Sequence, residues 1–385
     1  MVDPGQARPL RIGIGAPYDL GRDGGVNSHV RAQARALRAR GHHVSVFGAS
    51  SAPLAAGEHA VSACISPVIG GTETGFGIDP RAWWRVSALL RSERFDVLHL
   101  HEPLMPLVLW CALWQSRVPV VATFHTHREQ GHRWYGRYHW LLDPLMRRVH
   151  LRLAVSEAAQ RTVARDFPGA YEIVPNAIDV ARFQGGAVRP EAMPEQAPFV
   201  LYVGRLEPRK GVDRLIRAMS IVQTRIPEAR LAIVGDGPDR PALEAMAREN
   251  GAPVFFAGRV SDAALPAFYR AAEVVCSPAL GDESFGIVLL EAMAAERPIV
   301  ATRIEGYAEI LDKAGSARLV DVDDAEALAR EIGRLLGDPE ARRLLGARGA
   351  AFVRRYDWSV IAERLESLYL GLLSQHQPAG SPGKS

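Results

Sequence analysis

The chain has 385 residues, 48% hydrophobic and 23% charged, which excludes a disordered chain and favours two or more compact domains. Three scattered cysteines (Cys64, Cys111, Cys276) exclude a disulfide framework, and the longest apolar run, Leu104 to Trp114, is broken by Pro106 and falls short of the ~20 residues that span a bilayer. Residues 1–190 hold 22 Arg and no Lys against 15 acids (+7), and the remainder holds 46−22 = 24 bases against 43−15 = 28 acids (−4). The basic half calls for an anionic partner such as phosphate or acidic lipid; no zinc finger, RRM or basic helix points to nucleic acid.

The opening residues, Met1 to Gly5, show no signal-peptide pattern, so a cytoplasmic location is expected. Leu10 to Ile14 reads as a buried first strand. A Gly-rich loop (Gly21, Gly24, Gly25), a helix from Val26 to Arg40 stopped by Gly41, and a strand at Val44–Phe47 complete a doubly wound unit. Gly13 and Gly15 begin a GxG, but Tyr18 stands where a third glycine is needed and no acid follows the second strand, which argues against a nicotinamide cofactor. Further strands are expected at Asp96–Leu100, Val118–Phe124 and Leu151–Val155, with Ile173–Asn176 closing the first domain at about residue 183. Residues 184–197 have linker composition.

The plan repeats in residues 184–357. Strands are expected at Phe199–Val203, Leu231–Val234, Val254–Phe256, Glu273–Cys276 and Pro298–Ala301. A helix from Trp358 to about Ser374 ends the fold and is expected to return to the first domain; residues 375–385 read as a disordered tail. The fold class is thus α/β, with two Rossmann-like domains facing a cleft at the carboxyl ends of their strands.

One stretch organises the second domain. Cys276 runs through Ser277-Pro278 into Gly281-Asp282-Glu283-Ser284-Phe285-Gly286-Ile287-Val288-Leu289-Leu290-Glu291. Ser284 is expected to cap a helix running from Phe285 to Ala295, whose amino end suits a phosphate. Glu283 then stands at the mouth of the site and Glu291 about 12 Å further along the axis. Arg205 and Lys210 follow a strand on a Pro-containing turn, where two cations can neutralise a diphosphate leaving group. Lys210 is one of only three lysines in the chain, with Lys313 and Lys384, in a protein that otherwise uses Arg.

These motifs, with Pro17-Tyr18, Gly24-Gly25-Val26-Asn27-Ser28-His29, His101-Glu102-Pro103, Ala122-Thr123-Phe124-His125-Thr126 and Arg355-Tyr356-Asp357-Trp358, resemble the retaining GT-B glycosyltransferases of family four from Arg11 to about Leu373. Within that family the similarity is greatest to the phosphatidylinositol mannosyltransferases. The resemblance implies that His125 contacts the donor sugar, that Arg205 and Lys210 hold the diphosphate, and that Glu283 holds sugar hydroxyls, making these four the catalytic set. It implies a donor site of Gly25, Arg205, Lys210, Val260, Asp262, Glu283, Ser284, Phe285, Gly286, Ile287, Val288 and Glu291, with Glu291 on the ribose. Tyr18, Asn27 and Thr126 fall on the acceptor side; Asn27 replaces an expected Gln. A family reaction on one sugar face, in which the leaving phosphate assists proton removal, gives Glu283 an orienting role and not that of a nucleophile.

Asp262 follows Val260 where the family holds the base, and its carboxylate can accept from guanine N1–H and the amino group, favouring GDP-mannose; the competing reading is that Asp262 caps the next helix. Asp321-Val322-Asp323 matches a metal motif of another glycosyltransferase fold, yet it precedes the helix Ala325–Leu336 and reads as capping. No cofactor is expected to be required, with Mg2+ at most non-essential.

Two stretches fit an anionic membrane surface: Arg81, Trp83, Trp84, Arg85, Arg91 and Arg94; and Arg128, Arg133, Trp134, Tyr135, Arg137, Tyr138, Trp140, Arg147 and Arg148. The expected partners are therefore a nucleotide-diphosphate sugar, a lipid acceptor such as phosphatidylinositol and the inner face of the plasma membrane. The loop Gly70–Gly75 departs from the family, and Gln130 stands where a basic residue near the acceptor phosphate is expected. The competing readings are a glycosyltransferase with a UDP-sugar donor and a soluble or different lipid acceptor, and a catalytically silent sugar-nucleotide-binding protein.

Overall fold

The computed structural model describes residues 8–22, 24–65, 68–69, 72–73, 75–128, 131, 133–186, 190 and 197–376. It divides into two compact units: residues 1–175 with 358–385, and residues 176–357. The boundary falls before residue 183 because Asn176 to Phe183 belongs with the second unit: Ile178 bridges Asp357, and Val180 N–H donates to Asp357 Oδ2 at 3.0 Å.

In the first unit the main strands are β1 (Arg11–Gly15), β2 (His43–Ala49), β3 (Glu58–Ser62), β4 (Val97–His101), β5 (Val120–Phe124), β6 (Leu151–Ala154) and β7 (Glu172–Ile173). They form one parallel sheet in the order β7-β6-β5-β4-β1-β2-β3. Every residue of β4 and β5 is buried, as a parallel sheet covered on both faces requires. The GxG of β1 serves packing: a Cβ on Gly13 or Gly15 would stand 2.6 Å from the Leu98 or Leu100 side chain of β4. The edge strand β3, Glu-His-Ala-Val-Ser, escaped the sequence reading because it lacks an apolar run.

The unit's relevant helices are α1 (Gly25–Ala39), α2 (Ala82–Glu93), α3 (Val108–Gln115) and α4 (His139–Met146). Two short antiparallel pairs, Cys64–Ile65 with Phe76–Gly77 and Val68–Ile69 with Thr72–Glu73, lie between β3 and α2. Gly70, Gly71, Thr74 and Gln130, where the sequence departs from the family's expected pattern, lie outside the described residues, as does most of the tail.

The second unit carries β8 (Phe199–Val203), β9 (Arg230–Val234), β10 (Val254–Gly258), β11 (Val274–Ser277), β12 (Ile299–Thr302) and β13 (Ala317–Val320), parallel in the order β10-β9-β8-β11-β12-β13. Its key helix is α5 (Ile287–Ala294). The chain then returns to the first unit as α6 (Trp358–His376). Tyr369 of α6 places its hydroxyl 2.6 Å from His99 Nδ1, and Gln33 of α1 reaches both, at 2.9 Å from His99 Nδ1 and 3.2 Å from Tyr369 Oη. A buried polar network of this kind fixes how α6 docks, because any other register would leave the groups unpaired.

Candidate active site

In the second unit, β8 ends at Val203 and the chain enters a tight turn, Pro208–Lys210. The turn aims its cations at Glu283, 73 residues away. Lys210 Nζ and Arg209 Nη1 both bind Glu283 Oε1. Arg209 Nη2 also binds Glu207 Oε1 at 2.6 Å, and Arg205 Nε stands 3.5 Å from Glu207 Oε2. Three cations and two carboxylates leave this cluster one positive charge in excess, which suits an anionic ligand. Burial pulls the Arg209 guanidinium down, but Glu283 and Glu207 outweigh that and hold it above its ordinary value. Arg209 was missed by the sequence reading; its proximity to Lys210 in the chain was the available signal.

The helix start differs from expectation. Gly286, not Ser284, is the N-cap, with φ 79°, and no side chain caps α5. A Cβ on Gly286 would stand 2.7 Å from the Tyr307 ring, so both conformation and space call for glycine. Glu283 and Ser284 lie in the preceding turn, where Asp282 has φ 54°. The 12 Å axial separation of Glu283 and Glu291 therefore does not apply, since only Glu291 is helical. Phe285 is buried, while Ile287 and Val288 at the helix start are half-buried. Glu291 Oε2 accepts from Tyr269 Oη at 2.6 Å. Burial raises the Glu291 carboxyl to about 7, although the Tyr269 hydrogen bond opposes it.

Val260 is half-buried beside β10. The Asp262 side chain is 96% exposed, and its backbone oxygen accepts from Arg182. It does not cap the next helix; Ser261 Oγ accepts from Ala264 N–H at 3.3 Å instead. Of the D-x-D, Asp323 pairs with Arg214 at 2.5 Å. The cap of the helix Ala325–Gly337 is Asp324, which accepts from Ala327 N–H at 2.7 Å.

In the first unit, His125 and Thr126 follow β5 directly. Glu102, just past β4, organises them. Its Oε1 accepts from His125 N–H at 2.6 Å, Thr126 N–H at 2.8 Å and Thr126 Oγ1 at 2.9 Å; its Oε2 takes Tyr135 Oη at 3.4 Å. Glu102 has φ 47°, a conformation that costs about 1–3 kcal/mol and is sustained by such surroundings. Burial raises its carboxyl above the usual range, against the pull of those hydrogen bonds. Glu102 stood in a quoted motif without a role, because its partners lie on the neighbouring strand.

His101 Nδ1 lies 2.8 Å from His125 Nε2. Burial, reinforced by neighbouring imidazoles, holds His99 down at about 3 and His29 and His101 well below the usual histidine range. Tyr18 is half-buried, its hydroxyl pushed up by burial and by Glu102. Asn27 is buried, and its Nδ2 donates to the carbonyls of Asp19 at 2.7 Å and Arg22 at 3.1 Å, holding the Gly-rich loop in place. A Cβ on Gly24 or Gly25 would meet nothing within 4 Å. Neither packing nor backbone conformation requires glycine there.

The aromatic stretches divide. Trp83 and Trp84 on α2 and Trp140 on α4 are exposed, Trp84 at 69% and Trp140 at 74%. Trp114 on α3, which belongs to neither stretch, is half exposed and lies under Arg148 at 5.3 Å. The three helices are neighbours through α3. Tyr135 and Tyr138 instead turn inward against the core. The Trp134 side chain lies outside the described residues.

Among the described residues no helix is long and apolar enough to cross a membrane. The chain matches the family model described as Glycosyltransferase Family 4 over residues 23–182 and that described as Glycosyl transferases group 1 over residues 187–352. It is 35% identical over 363 residues to the phosphatidyl-myo-inositol mannosyltransferase of Mycolicibacterium smegmatis, covering 94% of this chain and 93% of that one. The corresponding protein of Mycobacterium tuberculosis is 37% identical over 367 residues, with 94% and 96% covered. Among solved structures, the sucrose-phosphate synthase from Thermosynechococcus elongatus superposes with a TM-score of 0.76 at 25% identity, covering 94% of this chain and 99% of that one. WaaG, a glycosyltransferase involved in lipopolysaccharide biosynthesis, gives 0.69 at 20% identity, covering 94% and 100%. With both family models matched and relatives this similar along nearly the whole length, the chain belongs to the family-four glycosyltransferases and is an enzyme of GT-B fold.

Proposed function

We propose that the enzyme transfers mannose from GDP-mannose to phosphatidylinositol, with retention, while docked on the anionic inner face of the plasma membrane. The observation that carries this reading is 35–37% identity over 94% of the chain to relatives named for that acceptor and sugar. The charged cluster supports the chemistry. A donor diphosphate recruits Lys210, Arg209 and Arg205, and Glu283, released from Lys210, turns to the sugar hydroxyls. The cations stabilise charge as the phosphate leaves, and a phosphate oxygen takes the acceptor hydroxyl proton on the same sugar face. His125, set by Glu102, donates to a sugar hydroxyl. The three cations meet the charge of the diphosphate, so no cofactor is assigned and Mg2+ is at most non-essential. Asp262, exposed, free of capping duty and held by a 4.0 Å ion pair with Arg182, turns its carboxylate to guanine.

Two observations support the membrane: the exposed tryptophans of α2, α3 and α4, and the +7 charge of residues 1–190. A second reading, transfer to a soluble inositol phosphate, is favoured by a 30% identical relative from Salinispora tropica named D-inositol 3-phosphate glycosyltransferase, over 76% of this chain and 67% of that one. Mass spectrometry of products from purified enzyme with GDP-mannose, UDP-glucose or UDP-N-acetylglucosamine, each against a lipid panel and inositol phosphate, separates them. A mannosylated phosphatidylinositol is expected; product only with inositol phosphate, or only from a UDP-sugar, overturns the assignment.

A further inference from the structure

Three histidines from three elements converge in the first unit: His29 on α1, His101 at the end of β4 and His125 just past β5. Each offers a ring nitrogen, and these atoms all lie within 4.8 Å of one another. The His29 ring stands 5.5 Å from that of His101 and 5.1 Å from that of His125, centroid to centroid. His29 Nδ1 is sealed from solvent and has no hydrogen-bond partner. An unpartnered buried nitrogen is costly, and beside the ring nitrogens of His101 and His125 it points to a ligand.

We propose that His29, His101 and His125 bind a divalent transition cation of the zinc class. Imidazole nitrogens suit Zn2+ and Co2+ and discriminate against Mg2+, which demands oxygen. Only the neutral imidazole nitrogens of these histidines ligate. Their surroundings also orient them: the His99 ring stacks on His101 at 4.6 Å and is itself held by Thr123 and Tyr369, and the Trp358 ring lies 4.9 Å from His29. A tetrahedral site with nitrogens at about 2.0–2.1 Å needs them roughly 3.3 Å apart. The 2.8 Å His101–His125 pair therefore opens slightly while His29 closes in. The proton between His101 and His125 moves to the far nitrogen of the ring that carried it. Three protein ligands leave a fourth position for water, as in catalytic rather than structural zinc sites.

The binding claim rests on the histidine geometry alone. Its consequence, that an occupying cation withdraws His125 and inhibits transfer, rests on the proposed function. The test titrates the full chain with Co2+ and follows visible absorption. One Co2+ per chain is expected, in a low-symmetry site whose band Zn2+ abolishes and Mg2+ leaves unchanged. His29→Phe and His101→Phe should each weaken binding by about 100-fold or more, since even outer-shell losses at metal sites cost 10–100-fold. Circular dichroism checks folding, and if His101→Phe fails to fold, His29→Phe alone decides. No band with Co2+, or an undiminished band in folded His29→Phe, overturns the site. Binding without inhibition of transfer leaves the site standing and overturns only the placement of His125 against the donor.

Discussion

Replacing Lys210 by Ala separates the chemical role of the cluster from its structural one. Lys210 and Arg209 share one oxygen of Glu283, and both Lys210 and Glu283 are largely shielded, at 17% and 12% side-chain exposure. Removing Lys210 leaves Glu283 bound by Arg209, so no buried carboxylate is stranded. The stability loss is that of one charge-assisted contact with its acceptor still satisfied, about 1 kcal/mol. For a unit spanning residues 176–357 that lowers the unfolding midpoint by about 2–4 °C. The transition state fares differently. A charge-stabilising contact to the leaving group supplies roughly 3 kcal/mol, so kcat/KM should fall by about two orders of magnitude. Steady-state kinetics with GDP-mannose and phosphatidylinositol, beside a thermal melt, read both numbers. A variant that melts within a few degrees of the wild type yet keeps kcat/KM within tenfold would refute the leaving-group role. A collapse of the melt with normal turnover would show that the Glu283 ion pair is structural.

Glu102 acts through the residues it positions: Glu102→Ala should lower kcat by about tenfold or more, and Glu102→Gln, which keeps one oxygen for His125 and Thr126, should restore most of it. Equal kcat loss in both, without rescue, would contradict the hydrogen-bond assignment. Burial raises Glu291 to about 7 from its ordinary 4.5, so the folded chain holds its proton more tightly than the unfolded chain. The resulting stability is present below about 4.5 and is lost as pH rises through about 7. Relative to wild type, Glu291→Gln should therefore melt higher at pH 8 than at pH 5, by roughly 2 °C or more; a pH-independent difference would show that the carboxyl is not held neutral. Sedimentation with vesicles of phosphatidylglycerol against phosphatidylcholine should show anionic selectivity that high salt weakens steeply, each basic residue near the surface contributing about 1 kcal/mol. Trp84→Ala and Trp140→Ala should remove a salt-resistant part. Equal partition to both lipids, or to neither, would favour the soluble acceptor.

The sequence alone determined the features that short-range chemistry controls. Short, nearly continuous apolar runs rich in β-branched and aromatic residues, such as Phe199–Val203 and Val120–Phe124, read as buried parallel strands, and they were legible with their bounds correct to within two residues. The 281–291 text and the Arg205–Lys210 spacing identified the family for the same reason: their residues are neighbours in the chain. Edge strands β3 and β13 were not legible, because pairing and not composition makes them strands. Long-range packing decided the rest. Only the sheet order brings Glu102 beneath His125, turns Tyr135 inward while leaving Trp140 in solvent, and sets Arg209 beside Lys210 on a carboxylate 73 residues away. Only the tertiary structure shows the helix starting past Ser284, at Gly286, where φ is 79° and the Tyr307 ring leaves no room for a Cβ. Local propensity places a cap one or two residues either way at similar energy, and contact with a distant side chain settles which position is occupied.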